Sequence, residues 1–262
     1  NHVSKSGFEL GKMLFYDSTL SIDNSTSCAS CHMQSSAFTH HEHSLSHGLN
    51  GSLTRRNAPP IMNLAWSNAF MWDGSVEKLD QQPVKPFTNP MEMGETMPNI
   101  LKKVNSSGMY RSMFKDAFGT AVATEAQLLK ALSQFMVMAV SNEAKYDSVQ
   151  RNQASFSNIE QAGYAIFVQK CNGCHSEPLF TDNSFRNTQL PPNDLLDSGR
   201  YVVTRNVRDL YRFKVPSLRN LGYTKPYMHD GRFSSIDKVL DHYNANLFSI
   251  STDERSKLKA FL

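Results

Sequence analysis

All four cysteines of the chain lie in two copies of one pattern, Cys28-Ala29-Ser30-Cys31-His32 and Cys171-Asn172-Gly173-Cys174-His175. Two thiols at this spacing can add across the two vinyl groups of a haem, while the adjoining histidine is placed to ligate the iron from one face. A single Cys-x-x-Cys would equally suit a zinc half-site or a redox dithiol, and two together could make a four-cysteine zinc site. The zinc and disulfide readings leave both histidines unexplained. Two covalently bound haem c groups account for all six residues, with His32 and His175 as the iron ligands.

A haem with two protein ligands passes electrons, whereas a haem with one open face can bind peroxide. One of each would make an enzyme. The elements that hold such sites are expected to be mainly helix and long loops. Thr124–Ser141, Asn158–Lys170 and Ile236–Tyr243 show helical spacing of apolar residues, with Thr124 and Ser157 as caps for the first two. The segments Ser44–Pro60 and Thr181–Gly199, rich in Ser, Asn, Pro and Gly, read as loops. The end of the sequence, Ser256–Leu262, has the amphipathic pattern of an interrupted final helix.

An internal repeat runs through the chain. Pro59-x-x-x-Asn63-Leu64 aligns with Pro216-x-x-x-Asn220-Leu221, and the same offset carries Met71-Trp72-Asp73-Gly74 onto Met228-His229-Asp230-Gly231. Each haem motif follows an aromatic-rich, helix-like segment, Gly7–Phe15 and Gly163–Val168. The expected fold is therefore mainly α: two cytochrome c-like domains related by internal duplication, each enclosing one c-type haem. Residues 1–150 form the first and 151–262 the second, with the boundary in the polar stretch Tyr146–Ser157. A length of 262 residues is ample for two such domains.

The net charge of +3 is mild and argues against a nucleic-acid partner. No apolar run is long enough to span a bilayer; the most hydrophobic stretch, Ala131–Val140, is too short. Covalent haem attachment takes place outside the bacterial cytoplasm, so a periplasmic location is expected. No charged-then-apolar leader precedes Asn1, and the expectation is that one has been removed.

Several ordered motifs carry a more specific resemblance. Gln82-Pro83-Val84-Lys85-Pro86-Phe87-Thr88-Asn89-Pro90-Met91-Glu92-Met93, with Arg56-Asn57-Ala58-Pro59, Trp72-Asp73-Gly74 and Pro226-Tyr227-Met228-His229-Asp230-Gly231, resembles the bacterial di-haem cytochrome c peroxidase and MauG family over nearly the whole chain. The resemblance implies that the N-terminal haem, held by Cys28, Cys31 and His32, is peroxidatic and the C-terminal one transfers electrons. Glu92 matches the family's distal glutamate, and Gln82 and Pro86 match other pocket residues. A carboxylate there can take the proton from the near oxygen of hydrogen peroxide and return it to the leaving oxygen. The competing reading of Glu92 is a solvated charge on a Met-rich loop. Trp72 resembles the tryptophan that lies between the two haems and relays electrons; packing of a buried aromatic is compatible with that role.

The resemblance implies further ligands. His47, in Phe38-Thr39-His40-His41-Glu42-His43-Ser44-Leu45-Ser46-His47-Gly48, best matches the switch histidine that caps the peroxidatic haem in the resting state; a His-rich solvent loop is the alternative. Where the peroxidases usually place a methionine as sixth ligand of the second haem, this chain has Tyr243, which resembles MauG with its His/Tyr-ligated haem. A phenolate stabilises ferric iron and lowers the reduction potential. Met228 and His242 are the rival ligands, and packing against the haem is the other reading of Tyr243. A calcium is also implied, at Asn57 through its side chain and at Thr224 and Pro226 through their carbonyls.

The activity so implied is reduction of hydrogen peroxide to water at the first haem. Electrons would come from a small redox protein, such as a monohaem cytochrome c or a cupredoxin, through the second haem and Trp72. The alternatives are a MauG-like oxidase acting on a protein substrate, favoured by Tyr243, and a di-haem electron carrier in which Glu92 is idle. A homodimer is common in the family.

Overall fold

The first helix, α1 (Lys5–Tyr16), starts where the Ser4 hydroxyl accepts a hydrogen bond from the Gly7 N–H at 3.1 Å. It buries Leu10, Leu14 and Phe15 on one face. That face packs on α6 (Glu125–Val137), with the Phe15 and Phe135 ring centroids 4.9 Å apart. The crossing depends on Gly11, because a Cβ there would collide with the Ala131 carbonyl. Between the two, in the computed structural model, which describes residues 2–40 and 43–262, lie α2 (Cys28–Cys31), α3 (Val84–Thr88), α4 (Met97–Ser106) and α5 (Gly108–Phe118). Ile100, Val104, Phe114, Leu128 and Leu132 join the α1 residues in one apolar core.

A second core is built by the same device. Helix α8 (Asn158–Lys170) opens with a capping box between Ser157 and Glu160 and crosses α11 (Thr252–Phe261) at Gly163, where a Cβ would collide with the Lys257 carbonyl. Phe167, Phe180, Leu240, Ile250 and Leu258 fill it, with Tyr146, Tyr164 and Tyr243 at its edge. Leu240 and Tyr243 come from α10 (Ile236–Asn246). The remaining elements are short: α7 (Lys145–Gln150), α9 (Tyr201–Thr204), and an antiparallel ribbon of β1 (Phe185–Arg186) and β2 (Phe213–Lys214).

These elements form two compact units, one reaching to Met71 and resuming at Val76–Val140, the other comprising Trp72–Ser75 and Ser141–Leu262. The helix expected over Thr124–Ser141 stops at Val137, after which the Ala139 carbonyl accepts from the Asn63 N–H at 2.8 Å rather than from its own helix. The polar stretch Tyr146–Ser157, expected to be a boundary, begins within a helix. Asp147 caps that helix through the Ala144 N–H at 2.9 Å and forms a bidentate ion pair with Arg219 at 2.7 and 2.8 Å. An ionic anchor leaves no apolar periodicity to read.

Two pairs of turns repeat along the chain. Asn63 and Asn220 have φ of 58° and 61°, Met71 and Met228 67° and 73°, and Gly74 and Gly231 66° each. Bridges Phe70–Val76 and Tyr227–Phe233 close the two Asp-Gly turns. No helix among the described residues is long and apolar enough to cross a membrane.

Candidate active site

The four thiols are not paired with one another. Cys28 and Cys31 are the ends of α2, and the His32 N–H closes that turn on the Cys28 carbonyl at 2.9 Å. In both units the histidine ring is held through Nδ1. His32 Nδ1 donates to the Phe38 carbonyl at 2.9 Å, and His175 Nδ1 donates to the carbonyls of Phe180 at 3.2 Å and Pro216 at 3.1 Å. A carbonyl only accepts, so the proton sits on Nδ1 and Nε2 keeps its lone pair for a metal. Burial lowers the pKa of both histidines, which keeps them neutral, as ligation requires.

Presenting those carbonyls requires an unusual backbone. Phe38 and Phe180 have φ of 59° and 56°, a left-handed conformation that a bulky side chain adopts at a cost of about 1–3 kcal/mol. Thiols not tied up in disulfides, a fixed tautomer and a neutral, buried imidazole in each unit fit covalent haem attachment. They do not fit a four-cysteine zinc site, which has no use for the oriented histidines.

Each thiol pair has one ionisable group from a distant segment within electrostatic range. In the first unit that group is Glu92, whose charge acts on both Cys28 and Cys31. Burial raises the carboxyl pKa, and the Asn89 amide, donating to Oε1 at 2.7 Å, opposes the shift. Its loop is pinned from the other side: a Cβ on Gly48 would collide with the Met91 carbonyl, and the Ser52 hydroxyl donates to that carbonyl at 2.9 Å. Gln82 and Pro86 lie on the same run, Gln82 with its amide 3.6 Å from the Met71 sulfur and Pro86 with its carbonyl accepting from the Met93 N–H at 3.2 Å. Part of each cysteine reaches the surface, yet the Cys28 thiol is packed deeply enough that burial, with Cys31 and Glu92 nearby, pushes it up to about 12.

In the second unit that group is Tyr243. Burial, together with Cys171 and Cys174, pushes its hydroxyl up to about 12. Its neighbour His242 is engaged at both ring nitrogens: Nε2 donates to the Thr188 carbonyl at 2.7 Å and Nδ1 accepts from the Asn246 amide at 3.2 Å. A ring held in that way has no lone pair to offer iron. Met228 sits at its positive-φ turn.

Trp72 and His229, equivalent in the sequence repeat, meet the same strand. The Lys214 N–H donates to the Trp72 carbonyl at 2.8 Å, and the preceding residue, Phe213, stacks on the His229 ring at 3.6 Å and 12°. Arg200 completes the support, donating to the Asp73 carbonyl at 2.9 Å while its guanidinium lies 3.8 Å from the Phe185 ring centre. No spacing in the sequence signals Phe213 or Arg200. Asn89, by contrast, lies three residues before Glu92, where an amide bonding a carboxylate across one turn is a readable pattern.

The remaining expected residues are placed less decisively. His47 is exposed and its ring clusters with His43 at 4.9 Å and His40 at 6.4 Å, while His41 and Glu42 lie outside the described residues. Asn57 is buried, its amide donating to the Ser44 carbonyl at 3.0 Å, and belongs to the first unit; Thr224 and Pro226 belong to the second. Among the described residues no three His, Cys, Asp or Glu side chains form a metal site.

Fold and site together define a helical c-type haem protein with an ionisable group near each attachment motif. A family model described as di-haem cytochrome c peroxidase matches residues 5–155. The methylamine utilization protein MauG of Methylorubrum extorquens is 34% identical over all of this chain and 78% of its own length. Cytochrome c551 peroxidase of Nitrosomonas europaea is 33% identical over 97% of this chain and 80% of its own. Among solved structures, a MauG-like protein associated with microbial copper homeostasis superposes with a TM-score of 0.92 at 28% identity, over 100% of this chain and 89% of that one. The diheme peroxidase BthA from Burkholderia thailandensis shares the fold, with a TM-score of 0.88 at 19% identity over 99% and 86%.

The chain belongs to the di-haem cytochrome c peroxidase and MauG family. It is a peroxidase-like oxidoreductase, and its cofactors are the family's two covalently bound c-type haems.

Proposed function

We propose that the protein reduces hydrogen peroxide to water in the first unit, with electrons entering through the second. The observation that carries this reading is Glu92: a desolvated carboxyl facing the Cys28 and Cys31 thiols, its pKa raised towards the range useful for proton transfer. The bound haems supply the redox chemistry. Glu92 accepts the peroxide proton and returns it to the departing oxygen, Asn89 fixes the carboxylate, and Gln82 and Pro86 border the pocket. His32 and His175 anchor the two irons, with each ring fixed by its backbone carbonyls.

Tyr243 is the proposed sixth ligand in the second unit. Its position opposite Cys171 and Cys174 and the engagement of both His242 nitrogens support it over His242, with Met228 as the other rival. Trp72, tied to the strand beneath Phe213 and His229, is the proposed electron relay. His47 as a switch ligand, calcium at Asn57, Thr224 and Pro226, two cytochrome c-like domains arising by duplication, a periplasmic location, a small cytochrome or cupredoxin donor and a homodimer complete the proposal. The matched turns and the two glycine crossings support duplication.

A second reading, a MauG-like oxidase that withdraws electrons from a protein side chain, is favoured by Tyr243 specifically. Peroxide addition to the holoprotein tests the group of readings. Rapid spectral change and peroxide consumption are expected, slowed by about 10²–10⁴-fold in Glu92→Gln. Unchanged turnover in that variant would remove Glu92 from the chemistry, and no peroxide response at all would leave only an electron carrier.

A further inference from the structure

The second unit contains a phenol–carboxylate cluster that the peroxide chemistry just described does not use. The Tyr164 hydroxyl donates to both oxygens of Glu177, at 3.0 and 3.2 Å. Burial, and after it the nearby Glu177 carboxylate, hold the Tyr146 hydroxyl above its ordinary pKa, and the two phenol rings are 6.4 Å apart. Tyr146 meets Phe180 edge-on at 4.8 Å, and the Phe180 carbonyl is one of the two acceptors of the His175 Nδ1–H. A short path therefore runs from the His175 ring through Phe180 to the Tyr146 ring and on to Tyr164, whose hydroxyl already donates to a carboxylate. Both phenols and Glu177 are only half-buried, so the path ends near solvent.

Loss of an electron from a phenol makes it a strong acid, and a carboxylate already holding its hydrogen receives the proton without rearrangement. Arg219, 5.9 Å from the Tyr146 ring, would oppose a cationic phenol, but its charge is matched by Asp147 and the neutral phenoxyl left after proton transfer is not repelled. We propose that Tyr164 and Tyr146, arranged about Glu177, are a redox-active pair that surrenders electrons when peroxide arrives in the absence of an external donor. The inference rests on the peroxidase reading. One peroxide and two tyrosines give two waters and two phenoxyl radicals. The O–O bond breaks and two new O–H bonds form from one proton and one electron per phenol. The Tyr164 proton passes to Glu177 along the existing hydrogen bond, and the Tyr146 proton leaves to solvent.

The test is freeze-quench EPR of the donor-free holoprotein after one equivalent of hydrogen peroxide, with peroxide consumption followed in parallel. A tyrosyl signal is expected in the wild type, diminished in Tyr146→Phe and Tyr164→Phe and lost in the double variant. Glu177→Gln, which removes the proton acceptor, should lower the yield while donor-supported turnover persists. Phenylalanine preserves the ring packing, so loss of signal would not reflect unfolding. If peroxide is consumed but the wild type shows no tyrosyl radical, or the double variant retains it, the pair is overturned and the peroxidase reading stands. If peroxide is not consumed, the peroxidase reading falls, and one-electron oxidation of the same holoprotein by a photogenerated ruthenium(III) polypyridyl decides the pair: no radical on Tyr146 or Tyr164 overturns it.

Discussion

Replacing Asn89 with Ala removes the hydrogen bond that opposes desolvation of the Glu92 carboxylate. A hydrogen bond to a charged group is worth about 1.5–3 kcal/mol, and about 1.4 kcal/mol corresponds to one pKa unit. The Glu92 pKa should therefore rise further. The carboxylate is the form that accepts the peroxide proton, so activity is full above this pKa and is lost as the pH falls through it. The acid limb of the pH profile for peroxide turnover should accordingly move upwards by about one to two units, with the plateau at higher pH retained. Asn89 also accepts from the Met91 N–H at 3.0 Å, so the alanine variant loses some loop support. Asn89→Asp separates the effects, because it keeps that acceptor, removes the donor and adds a like charge beside Glu92; its acid limb should move at least as far. An acid limb that stays in place in both variants, with the plateau intact, would refute the assignment of Glu92 as the titrating base.

Tyr243→Met should raise the reduction potential of the second haem by on the order of 100 mV, a modest part of the span set by axial ligands, and change its low-spin EPR signal; an unchanged spectrum would exclude Tyr243 as a ligand. Arg219→Met leaves the buried Asp147 without its partner and should cost about 3–5 kcal/mol in urea denaturation at pH 7. Arg219 holds the Asp147 pKa low, so its contribution is present above the unfolded value near 3.9 and is lost as the pH falls through the folded one; the penalty should shrink in acid. Gly11→Ala and Gly163→Ala should each destabilise by about 1–2 kcal/mol or more in thermal melts, since overpacking outweighs alanine's helix preference.

Local signals made the helices readable. Helix α8 runs from Asn158 to Lys170 as its periodicity and cap require, because Ser157 and Glu160 complete their capping box within one turn. What escaped the sequence depends on partners far along the chain. Helix α7 is anchored by a residue 72 positions away, and the fate of His242 is decided by a carbonyl 54 positions away. The haem motifs were legible because their chemistry is compressed into five residues. The backbone carbonyls that orient their histidines were not, since nothing in the type of Phe38 or Phe180 advertises a left-handed backbone.

The depth at which the thiols sit bears on the chemical form the motifs favour. In the folded chain Cys28 packs against the apolar core of the first unit, and its thiol, like that of Cys171, is held well above its ordinary pKa. A thiol so placed is a poor nucleophile. An uncharged thioether suits such a place better than a thiolate, so the packing that raises the thiol pKa favours the attached form of each motif.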